Sequence, residues 1–130
     1  MESGIEYRHI PELGGRRKPN RHSHNTGWEN KSFRAYADYM ETDGFRQGIG
    51  ILLEQAKIKR SALMCSEAVW WRCHRSLVSD YLKSTGVEVS HIMDAGAAKN
   101  HPYTSVARII AGKLSYADNG DLFNLFSSPP

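Results

Sequence analysis

With 130 residues, 40 % of them hydrophobic and 24 % charged, the chain has the default size of one domain and the composition of a globular rather than a disordered one. No apolar run reaches the length of a membrane span, and the opening MESGIEYRHI lacks the regions of a secretory signal. The reading is a cytoplasmic protein without a membrane partner, its two cysteines reduced thiols.

The first element in chain order is a short strand with Ile5, Tyr7 and Ile10, stopped by Pro11. GGRRKPNRHSHNTGWENK has no apolar period and reads as a long loop. Net charge is +3 and pI about 9.0, and the excess is uneven: Arg8, Arg16, Arg17, Lys18 and Arg21 crowd this end. That cluster suits an anionic partner, either a small molecule or a nucleic acid.

Ser32 is a suitable cap for a helix through FRAYADYM, with Phe33, Tyr36, Ala37 and Met40 on one face. Gly44 interrupts it. A second helix follows, with Phe45, Ile49, Leu52, Leu53 and Ala56 inward. Gly48 and Gly50 weaken that helix or let something pack closely.

SALMC has the length of a buried strand ending at Cys65. Ser66 and Glu67 form a turn, and a helix is predicted over 69–84. Its inner face carries Val69, Cys73, Leu77 and Tyr81; Arg72, Arg75, Ser79 and Lys83 fall outside. Gly86 stops it, and VEVSHIM is a further strand. Residues 62–93 thus form a parallel βαβ unit. The expected fold class is α/β: a small open, mainly parallel sheet flanked by helices, Rossmann-like and three-layered. A hairpin around Ala111–Gly112 closes a single domain over 1–117, and 118–130 form a C-terminal tail.

The chemistry concentrates in MCSEAVWWRCHR, residues 64–75. A thiol at the carboxyl end of a parallel strand, just before a helix, lies where anions bind and thiolates are favoured. Cys65 is therefore the first candidate nucleophile or redox thiol, and Cys73 the second, although its place inside a helix suits packing. Glu67 and His74 are candidate proton carriers. Arg16, Arg72 and Arg75 are candidate clamps for phosphate or carboxylate, and Arg17 stands beside Arg16 in the loop that can fold over this edge. Neighbouring tryptophans on a helix diverge, so Trp71 can face a ligand ring while Trp70 packs. The C-x7-C-H spacing is no recognised zinc pattern, so no metal and no cofactor is assigned.

IEYRHIPELGGRRKP, FRAYADYM, ALMCSEAVWWRCHRSLVSDYL, GVEVSHIM and AGKLSY together resemble the widespread bacterial family of the domain of unknown function 488, over about residues 3–117. The resemblance carries site residues onto Gly14, Gly15, Cys65, Glu67, Cys73, His74, Arg75 and His91. The family's cysteine–histidine–arginine cluster implies an enzyme and names no reaction. Members begin with two further strands bearing T-I-G-H-S and D-V-R motifs, which implies an amino-terminally truncated chain. Its unpaired sheet edges would invite a homodimer. The expected function is a thiol-dependent enzyme acting on an anionic, phosphate- or nucleotide-like substrate. The alternatives are a non-enzymatic nucleic-acid-binding module and an inactive remnant of the longer domain.

Overall fold

The structure is a computed structural model, and residues 4–65, 69–93 and 96–118 are described. Three helices carry it: α1 (Lys31–Tyr39), α2 (Asp43–Ile58) and α3 (Arg75–Ser84). Two antiparallel pairs follow, β1 (Ser90–His91) with β2 (Lys99–Asn100), and β3 (Arg108–Ile110) with β4 (Lys113–Ser115). Single 3-10 turns lie at Pro11–Leu13 and Trp70–Arg72.

Local chemistry explains most boundaries. The Asn30 side chain accepts the amides of Ser32 and Phe33, so α1 is capped two residues before the expected Ser32. Thr42 caps α2 through the Phe45 amide. Gly86, at φ 91°, ends α3: its amide reaches the Lys83 carbonyl and that of Val87 reaches Leu82, both at 3.0 Å. Ala111 and Gly112 both have positive φ, the geometry of a two-residue hairpin turn, so the β3–β4 hairpin forms where expected.

The apolar faces of the helices meet in one core. Tyr36, Phe45 and Leu77 are fully buried, with Met40, Ile49, Leu52, Val78, Leu82 and Tyr116 around them. Phe45 receives Tyr81 and Tyr36 edge-on, with ring centroids 5.1 and 6.1 Å away. Burying each such side chain is worth about 1.5–3 kcal/mol. Gly48 admits the Pro11–Leu13 turn against α2: a Cβ there would lie 2.8 Å from the Leu13 side chain. The loop 14–29 is irregular, but the buried Asp38 carboxylate fastens it by accepting the Asn20 amide, the Ser23 hydroxyl and the Asn25 side-chain amide.

The mainly parallel, Rossmann-like sheet is not there. The described residues form two small antiparallel two-stranded sheets beside three helices. Residues 5–10 and 61–65 belong to no strand among the described residues, and Ile5, Tyr7 and Met64 are 67, 71 and 83 % exposed. A parallel strand needs a neighbour at hydrogen-bonding distance and cover on both faces, which an apolar run cannot supply for itself. The predicted helix over 69–84 starts at Arg75 instead. Cys73 is extended, at φ −138° and ψ 174°, and interrupts the helical turn between Trp70–Arg72 and α3. Only Ser90–His91 of VEVSHIM joins a ladder, and it pairs antiparallel.

Candidate functional site

The site is built on the PELGG turn and the start of α3. In a turn this tight the carbonyls need outside donors. The Tyr39 hydroxyl donates to Glu12 O at 2.5 Å, and the Tyr36 hydroxyl to Leu13 O at 3.0 Å. Arg17 donates to Pro11 O at 2.7 Å and Gly14 O at 3.1 Å, with its guanidinium 3.6 Å from the Tyr39 ring centroid. His74 also bonds the Leu13 backbone, and its ring lies 5.0 Å from that of Tyr36. The glycines are needed by contact: a Cβ on Gly15 would fall 2.6 Å from His74 Nδ1.

On this platform Cys65, Cys73 and His74 converge. Their two sulfurs and one ring nitrogen lie within 4.8 Å of one another. Cys73 Sγ accepts the Arg75 amide at 3.3 Å and Arg75 Nε at 3.0 Å. It therefore occupies an otherwise unpaired N–H of the first turn of α3. Burial pushes the Cys73 thiol above its ordinary pKa. The Arg75 hydrogen bonds and charge pull it down, and a hydrogen bond with the Cys65 thiol pushes it up again. His74 is held below the usual histidine range, chiefly by burial. The bond to Leu13 opposes this, and the charges of Arg75 and Arg17 add to it. His74 is accordingly neutral at pH 7.

Two thiols and an imidazole are ligand types that suit a soft metal such as zinc. Here the Arg75 guanidinium lies 3.0 Å from Cys73 Sγ and already supplies the positive charge a metal would bring. The cluster is best described as a paired-thiol site beside a fixed cation.

Arg75 also lines a cleft of about 250 Å³, whose walls include Trp70, Leu52, Leu82, Val89 and His91. His91 stacks flat on Trp70, with centroids 4.0 Å apart and planes at 3°. Its Nε2 is 2.6 Å from His101 Nδ1, and His101 Nε2 is 2.7 Å from Asp80 Oδ1. Asp80 and His101 are almost fully buried. The histidine on the cleft is pushed down to about 4 by burial, then by His101, then by Arg75.

The expected site residues divide by place. Cys65, Cys73, His74, Arg75, Gly15 and His91 lie at the thiol cluster or its cleft. Gly14 and Arg17 hold the turn. Arg16, Arg72 and Trp71 are exposed, Trp71 with its ring edge-on to Trp70. Glu67, with Ser66, lies outside the described residues. Asp80, His101 and Tyr116 were not foreseen. The signal for Asp80 was its position three residues after Leu77, on a face that turns inward, where a carboxylate must find donors. No described helix is long and apolar enough to cross a membrane.

Residues 1–82 match the family model described as "Domain of unknown function DUF488". No curated protein matches the chain, and no solved structure does.

Proposed function

The chain belongs to the DUF488 family, and from that premise we propose that Cys65, Cys73, His74 and Arg75 form a thiol-dependent active site for an anionic substrate of phosphate or nucleotide kind. The observation that carries this reading is the convergence of both sulfurs and the His74 ring within 4.8 Å, with Arg75 bonded to one sulfur. Cys65 is the less buried thiol and is the nucleophile. His74, uncharged at neutral pH, takes the Cys65 proton. Cys73 stays protonated because burial disfavours its thiolate, so its S–H donates to the Cys65 sulfur as that sulfur ionises. Arg75, shared by the thiol cluster and the cleft, receives the anionic group of the substrate.

The test is residue-resolved alkylation of the folded protein by iodoacetamide, read by mass spectrometry. Cys65 should react faster than Cys73, and inorganic phosphate should slow it. A Cys65 that stays inert until the protein is denatured would overturn the reading.

A further inference from the structure

The structure places a second set of titratable groups beside the thiols, and the thiol chemistry does not use it. Asp80, on α3, accepts four hydrogen bonds: His101 Nε2 at 2.7 Å, the Thr104 amide at 3.0 Å, the Thr104 hydroxyl at 2.6 Å and the Tyr116 hydroxyl at 2.7 Å. A carboxylate so surrounded is an acceptor only, so His101 must present Nε2–H to it. With His101 uncharged, its Nδ1 is then an acceptor, and the 2.6 Å contact requires His91 to present Nε2–H. The lone pair of His91 is left on Nδ1. His91 lines the Trp70–Arg75 cleft, whereas Asp80 and His101 are sealed from solvent.

We infer that Asp80, His101 and His91 form a proton relay that makes His91 a general base in the cleft, serving a ligand with an anionic group for Arg75 and a weakly acidic O–H or N–H. The inference rests on the proposed site through Arg75 alone. The step balances without any other reactant. The ligand proton goes to His91 Nδ1, and the proton on His91 Nε2 passes to His101 Nδ1. The ligand keeps the electron pair, and the positive charge ends on His101 against Asp80. Charge on His91 is disfavoured first by burial and then by His101 and Arg75, whereas charge relayed to His101 lies 2.7 Å from the Asp80 carboxylate. The groups facing the relay are Arg75 and Asp80 from α3, Tyr116 after β4, and Lys83, whose Nζ donates to the His101 carbonyl at 2.7 Å. His91 is the catalytic residue of this proposal, and His101 and Asp80 are positioning residues.

The experiment is an acid titration of the full chain labelled with ¹⁵N at histidine, followed by NMR of the ring nitrogens. At the first protonation His101 should become doubly protonated. In the same step His91 should stay neutral and exchange its Nε2–H form for the Nδ1–H form. In Asp80→Asn that step should move to lower pH. A His91 that becomes the imidazolium in the first step overturns the relay, as does a resting His91 with its proton on Nδ1. The wild-type titration decides even if Asp80→Asn fails to fold. These signals are independent of cysteine alkylation, so the relay and the thiol reading fail separately.

Discussion

Gly15 lies against the imidazole of His74, so close that a Cβ would come within 2.6 Å of Nδ1 and 2.9 Å of Cε1. His74 is anchored to Leu13 and packed on Tyr36, and cannot retreat freely. Gly15→Ala should therefore cost about 1–3 kcal/mol, as overpacking does, and should slow Cys65 alkylation by displacing the ring. Gly50, in α2, has nothing within 4 Å of its virtual Cβ. Gly50→Ala should instead stabilise by about 0.4–1 kcal/mol. Denaturant unfolding of the two variants should move in opposite directions; destabilisation by both would refute the contact argument.

Arg75 pulls the Cys73 pKa down against the larger effect of burial. Removing the guanidinium in Arg75→Gln should shift the pH midpoint of Cys73 alkylation upward, and Arg75→Lys, which keeps the charge, should shift it less. An unchanged midpoint in both variants would mean that the 3.0 Å contact does not persist in solution.

Acid should destabilise the fold through His91. Its folded pKa, about 4, lies below the ordinary 6.5, because burial, then the neighbouring His101 and Arg75, disfavour the charged ring. Between those values the unfolded chain binds the proton that the folded chain refuses. The contribution is fully present above pH 6.5 and is lost as pH falls through 4. The ring is partly exposed, so solvent screening leaves less than the full shift. Urea unfolding at pH 7 and pH 4.5 should show a smaller loss of stability in His91→Asn than in wild type. Equal losses would exclude His91 as the source.

Asp38 is the fastening point of the loop after PELGG. Asp38→Ala strands the hydroxyl of Ser23 and the buried side-chain amide of Asn25, at a cost of about 1–3 kcal/mol. Amide exchange over residues 20–25 should accelerate while exchange within α2 changes only by the global loss of stability. Protection of 20–25 equal to wild type would show that the loop is held by something else.

What the sequence determined by itself was local. The apolar stripes of α1 and α2, the glycine stop after α3 and the Ala111–Gly112 hairpin all follow from spacing, capping and backbone preference within a few residues. The cysteines, His74 and Arg75 stood out for their chemistry, and their family was recognisable from the same blocks. The pairing of strands was not legible. SALMC is apolar enough for a strand, but a ladder needs a second chain segment at hydrogen-bonding distance, and hydrophobicity names no partner. The start of α3 was misplaced for a related reason: the amide of Arg75 is met by a sulfur two residues earlier, a contact that periodicity does not encode. Tertiary structure alone decided that Asp80 meets His101, and that His101 meets His91. A buried carboxylate must collect its donors from wherever the fold brings them, and here it took them from segments 21, 24 and 36 residues away.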